Sequence, residues 1–154
     1  MQMAPPRALE AGKPRSHRST WTRRPAYPQI RLGDNQSVEF LVVGDAWTFD
    51  LPSKNDHFKS VRHLANIVCR EQLTDPFHRT CFLFEFNDTT FRSVVVDPTK
   101  HWLKVTRYGV GKSGTHYKVE VVRQATDNER EMAGHKIRLD LELAASDKQS
   151  KMNR

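Results

Sequence analysis

Short apolar runs closed off by turn residues set the tightest limit on what this chain can fold into. Val38 to Val43 is one such run, bounded by Gly33-Asp34-Asn35 on one side and Gly44-Asp45 on the other. Its length and its neighbours predict a buried strand. Cys81 to Phe86 and Phe91 to Val96 flank Asn87-Asp88-Thr89-Thr90, which predicts a hairpin with a four-residue turn. His101 to Tyr108 and Thr115 to Arg123 flank the glycine-rich Gly109 to Gly114 and predict a second hairpin. His135 to Leu143 alternates: Ile137, Leu139, Leu141 and Leu143 share one face, and Lys136, Arg138, Asp140 and Glu142 the other. That pattern is a half-buried strand. A short helix is expected from Asp127 to Ala133, N-capped by Thr126 and closed by Gly134. Residues 55–68 admit two readings, because Phe58, Val61, Ala65 and Val68 have near-helical spacing while their flanks suit an irregular excursion. The expected fold class is mainly β: a small OB-type barrel with one or two short helices behind a disordered basic N-terminal arm.

The organisation follows from where the charge sits. The net charge of +7 is not spread evenly over the 154 residues. Residues 1–24 hold Arg7, Lys13, Arg15, Arg18, Arg23 and Arg24 against Glu10 alone, a net +5. Residues 146–154 add Lys148, Lys151 and Arg154 against Asp147, a net +2, so the stretch between is neutral. We therefore expect a flexible basic arm (1–26), one β-rich domain (27–145) and a flexible tail (146–154). A basic arm on a neutral domain points to a polyanion reached by counterion release, the plain alternative being a solvated tail. The arm is also Arg-rich in the manner of an organellar transit peptide, but Pro5-Pro6 disfavours the amphipathic helix that such peptides need. No apolar region follows Met1, no stretch approaches the roughly 18 apolar residues of a membrane span, and two cysteines do not make a disulfide scaffold. A reducing, cytoplasmic setting is expected.

Gly109-Val-Gly-Lys-Ser-Gly114 spells the letters of a dinucleotide fingerprint and echoes a phosphate-binding loop. Both need a helix after the glycines, so that phosphate meets a positive helix end. The strand-like Thr115-His-Tyr-Lys-Val-Glu-Val121 follows instead, and Thr106 stands where the phosphate loop wants its first glycine. A hairpin tip is the better account, glycine allowing the positive φ of a tight connection and Lys112 projecting into solvent.

Residues 100–123 carry six cations against Glu120, a net +5. Alternation puts Trp102, Lys104, Thr106 and Tyr108 on one face, with His116 and Lys118 beside them; Leu103, Val105, Tyr117, Val119 and Val121 turn to the core. Rings interleaved with cations on an exposed face suit single-stranded nucleic acid, since rings stack on bases and cations follow phosphates. The candidate binding residues are Trp102, Lys104, Arg107, Tyr108, Lys112, His116 and Lys118. A core tryptophan beside a charged edge strand gives the same letters. His57, Cys69, His78 and Cys81 form a second constellation, four nitrogen and sulfur donors of the kind that hold a structural zinc ion, with His63 able to replace His57. Buried free cysteines and surface histidines are the alternative.

Lys104-Val-Thr-Arg-Tyr-Gly-Val-Gly-Lys-Ser-Gly-Thr-His-Tyr-Lys-Val119 resembles the "T-R-x-G-x-G-x-x-T-x-Y-x-V" stretch of phage single-stranded DNA-binding proteins, with one extra loop residue. Leu32-Gly-Asp-Asn-Gln-Ser-Val-Glu-Phe-Leu41 looks like their opening strand, and the histidine–cysteine series falls where T-even phage relatives carry a zinc insertion. The resemblance spans about residues 30–122 and implies an OB-fold, sequence-tolerant binding of single-stranded DNA, and a role in replication or recombination, in the host cytoplasm if the chain is phage-encoded. It also implies replication or recombination proteins as partners and self-association along the strand. Histidine stands where the family has a third cysteine, and Asp147 to Arg154 is basic where the family ends acidic.

Three functional classes remain to be weighed. Catalysis is not expected, because Asp56, His57 and His63 isolate no nucleophile with its base, and Asp75, Asp88 and Asp97 sit near turns, where acids are ordinary. A structural or assembly protein of a virion or nucleoprotein particle is the alternative to a strand binder: it can bury Trp102 and Tyr108, which a binder must expose. An RNA-binding adaptor would use the same rings and cations.

Overall fold

The computed structural model describes residues 27–52, 59–110 and 114–152. The arm, His57 and Lys112 lie outside these residues. Five strands form one antiparallel sheet in the order β3-β2-β1-β4-β5: β1 is Ser37–Pro52, β2 Lys59–Cys69, β3 Phe82–Asn87, β4 His101–Tyr108 and β5 His116–Gln124. The chain is mainly β, as its short apolar runs predict. No pairing joins β3 to β5 among the described residues, so the sheet does not close on itself through strand pairing.

β1 is the organising strand. Its first residues, Ser37 to Phe40, pair with β4, and from Phe40 to Pro52 it pairs with β2. Between Val43 and Trp47 the register shifts, and Gly44 takes a φ of +76° there. That positive φ calls for glycine, and the Arg138 guanidinium lies beside it. Phe40-Leu-Val-Val43 is unbroken in its apolar character because the sheet is covered on both faces. Phe40 and Val42 join Ala65, Ile67, Phe84, Leu103 and Val105 on one side, and Leu41 and Val43 join Val68, Cys81 and Trp102 on the other. The same double burial makes residues 59–69 a strand: Ala65, Ile67 and Cys69 enter the first cluster, and Leu64 and Val68 face the opposite side.

Two expected strands take other forms. Residues 91–96 do not return as the second arm of a hairpin. Asn87 caps a short helix, α2 (Asp88–Arg92), its side-chain oxygen accepting from the Thr90 N–H at 2.7 Å. Asparagine before a polar pair serves a turn and a helix N-cap equally, and the cap prevails because it delivers Phe91, Val94 and Val96 to the open side of the first cluster. Residues 135–143 do not form a strand either. Only Ile137 makes a β-bridge, with Thr80. Asp140 then accepts from the Leu143 N–H at 3.0 Å, and α4 (Leu141–Met152) follows, seating Ala144 and Ala145 against Phe49, Leu64 and Leu83. Residues 146–152, expected as a flexible tail, continue this helix, and Lys148 is tied to Gln29 at 2.7 Å and Glu85 at 3.0 Å. Buried Asn66 fixes the approach to α4, holding the Leu139 N–H and C=O with its side-chain amide.

The remaining helices are α1 (Arg70–Leu73) and α3 (Asp127–Gly134). In α3 Thr126 caps the N-terminus as expected, but the helix runs through Gly134 and ends with His135 as its C-cap. Residues 28–36 strap β3 to β4: Leu83 N–H donates to Pro28 C=O and Ile30 N–H to Leu83 C=O, while Asn35 N–H donates to Arg107 C=O. Ile30 and Leu32 of the strap pack on the first cluster. No helix of the described residues is long and apolar enough to cross a membrane.

Candidate nucleic-acid interface

The β4–β5 hairpin forms as the sequence predicts, with Lys104 opposite Glu120, Thr106 opposite Lys118 and Tyr108 opposite His116. Gly109 closes it with a φ of +97°, and its N–H donates to the Asp34 carboxylate at 2.8 Å. At this tip the Tyr108 and His116 rings lie nearly parallel (24°) with centroids 5.3 Å apart. His116 is exposed and Tyr108 half-buried, so the pair offers stacked aromatic surface at the end of the hairpin.

Trp102 corrects the expected platform. Alternation does place it on the face of Lys104, but it is 0% exposed. The cause lies beyond the strand: α3 covers that end of the sheet, bringing Ala125, Met132 and Ala133 against the indole. The Arg70 and Arg123 guanidinium groups approach the ring to 5.0 and 6.0 Å, and the indole N–H donates to Glu129 at 3.2 Å. Val121, expected in the core, is 45% exposed because β5 is the last strand of the sheet.

The other candidates divide between surface and scaffold. Lys104 and Lys118 are exposed. Both have acidic neighbours: Glu39 and Glu120 stand opposite Lys104 on its two flanking strands, and Lys118 approaches Glu120 to 3.5 Å. This face is a ladder of alternating sign rather than a purely basic stripe. Arg107 is half-buried and donates to the Leu32 carbonyl (3.1 Å) and the Thr115 hydroxyl (3.3 Å), which ties the tip end of the hairpin to the strap.

Of the proposed zinc ligands, Cys69, His78 and Cys81 fall among the described residues and His57 does not. Cys69 belongs to the first core cluster and Cys81 to the second, on the other face of the sheet. Burial pushes both thiols up to about 11, with Glu71 adding to the rise at Cys69, and both are free and buried. His78 is exposed and faces Asp75 at 3.5 Å. No cluster of three metal-ligating side chains occurs among the described residues.

One polar chain has no local signature in the sequence. Thr48 Oγ1 lies 2.9 Å from His63 Nδ1, His63 Nε2 lies 2.8 Å from Asp88 Oδ1, and Arg92 donates to Asp88 Oδ2 at 2.8 Å. The His63 hydrogen bond, joined by Arg92, holds the Asp88 carboxyl below its usual range. Ionised Asp88 accepts, so Nε2 carries the hydrogen of that bond. The order is that of a nucleophile, base and acid, but the His63 ring is buried and stacked 4.0 Å from Phe91. The nearby cleft of about 190 Å³ is lined by Ala65, Phe86 and Phe91 and by neither Thr48 nor His63. The chain fastens α2 to β1 and β2. No family model, curated protein or solved structure matches the chain.

Proposed function

We propose that this chain is a non-catalytic single-stranded nucleic-acid-binding protein of OB type, with DNA as the ligand. The observation that carries the reading is the stacked Tyr108–His116 pair at the tip of a cationic hairpin. Arg107 precedes Tyr108 in β4, Lys104 and Lys118 run along one side, and Lys112 follows Gly111 in the sequence. Ring pairs of this kind accept a base by stacking, and the surrounding cations follow the phosphates. A bulged β1 shared between β2 and β4, with a helix after β3, is compatible with a partly open five-stranded barrel. The basic arm adds sequence-independent affinity. Replication or recombination in a phage-type setting, in the cytoplasm, is the biological role that goes with this reading.

Titration with fluorescent oligo-dT and a matching duplex, across a salt series, tests it. Preference for the single strand is expected. Tyr108→Ala should lower affinity by about 1–3 kcal/mol, roughly 5- to 150-fold, without loss of fold. Lys104→Ala should reduce the salt slope by about one ion. Equal, weak binding to both polymers, abolished by moderate salt and indifferent to Tyr108→Ala, would leave only the arm and overturn the reading. A structural or assembly protein of a nucleoprotein particle is the second reading, and the exposed edge of β5 with Val121 favours it.

A further inference from the structure

β5 ends the sheet, and among the described residues its outer edge pairs with no strand. Soluble proteins usually guard such an edge with proline, charged side chains or a bulge, and on β5 the guard is charge of both signs, Lys118 and Glu120. From His116 to Val121 β5 has no proline and pairs with β4 without a break in register; the irregularity comes later, between the partners of Leu103 and Trp102. Tyr117, Val119 and Val121 share the face that continues Val105 and Leu103 of β4, whereas Lys118 and Glu120 share the opposite face. Tyr117 and Val119 are only half-buried and Val121 is exposed, so this apolar row stops short of complete cover.

The row reads the same in both directions in the sense that matters for pairing. We propose that β5 is a dimerisation edge, joining β5 of a second copy in antiparallel register about a two-fold axis at Val119. That register sets Val119 against Val119, Tyr117 against Val121 and Lys118 against Glu120, each unlike pair occurring twice. One face gains a continuous apolar seam and the other gains two opposite-charge pairs. Moving the axis to Lys118 sets lysine against lysine, and moving it to Glu120 sets glutamate against glutamate. An axis midway between Val119 and Glu120 opposes Val119 to Glu120 and Val121 to Lys118, each twice. The composition therefore selects one register, and the product is a ten-stranded sheet made from the two five-stranded sheets. The inference is independent of the nucleic-acid reading and needs no nucleic acid to test.

The test is sedimentation of the full-length chain over micromolar to sub-millimolar concentrations, paired with cysteine crosslinking. A concentration-dependent dimer is expected. Directly opposed residues of an antiparallel pair have Cα atoms about 4.5–5.5 Å apart, within disulfide range, so oxidised Val119→Cys should give a covalent dimer. The native Cys69 and Cys81 are buried and leave the background low. Lys118→Cys alone should crosslink poorly, whereas Lys118→Cys mixed with Glu120→Cys should crosslink well. Lys118→Glu should weaken dimerisation roughly tenfold, and Lys118→Glu/Glu120→Lys should recover most of that loss. A chain that stays monomeric at every concentration while circular dichroism shows it folded overturns the proposal. A dimer whose crosslinks ignore this register overturns it as well.

Discussion

Around Trp102 an indole N–H, two guanidinium groups and a carboxylate meet over one buried ring. The ring bridges the sheet to α3, and cutting it to a methyl group opens a large void between them. Trp102→Ala should cost about 3–5 kcal/mol of stability, measured by denaturant unfolding, with any loss of nucleic-acid binding following the loss of fold. The face of this residue was legible in the sequence, because strand alternation is a local rule. Its burial was not, because α3 is contributed by residues some 25 positions further on in the chain. Tyr108 and His116 obey the same local rule at the far end of the hairpin, where their rings stack with Tyr108 half-buried and His116 exposed. Thr48, His63 and Asp88 mark the limit of such reading, since their partnership depends on strand register and on a helix that the letters around Asn87 equally present as a turn.

Among the elements, α3 shows how a short helix is fixed to a sheet. Glu129 completes the capping box with Thr126 and also takes both Arg123 nitrogens, at 2.7 and 2.8 Å. The Arg123 hydrogen bonds, helped by those from the Thr126 N–H and the Trp102 indole, hold its carboxyl well below the usual carboxylate range. A carboxylate depressed in the folded state contributes stability that is complete above its unfolded pKa and is lost as pH falls towards the folded one. Glu129→Gln should therefore cost about 1–2 kcal/mol at neutral pH and flatten the stability profile below about pH 5, as followed by thermal unfolding across a pH series. Elements whose signals are local were legible: the β4–β5 hairpin with its glycines, and the Thr126 cap. Residues 135–143 misled because period-two alternation there coincides with an extended approach to α4, and Asp140 ends it by capping the helix. Of residues 55–68, those from Lys59 on form a strand whose two faces are both covered, a fact that no single segment carries; 55–58 lie outside the described residues.

For the molecule as a whole, charge and topology set different properties. Six of the chain's cations lie in residues 1–24, against Glu10, on a sheet whose hairpin face alternates in sign. Removing those residues should reduce the salt slope of single-strand binding by up to about 4, measured by titration at several salt concentrations, while the preference for single strand over duplex persists. The central place of β1 has a consequence in time. Glu39 and Phe40 meet their β4 partners, Lys104 and Leu103, only after more than sixty further residues have been joined. At translation speeds of about 5–20 residues per second, one flank of the most apolar strand waits several seconds for its neighbour in every round of synthesis. The β1–β2–β3 meander can form during that interval, leaving the newborn chain with an adhesive margin that later neighbours will cover. The nascent polypeptide is thus most vulnerable to clumping at a stage when the mature protein's own weak margin, β5, has not yet been made.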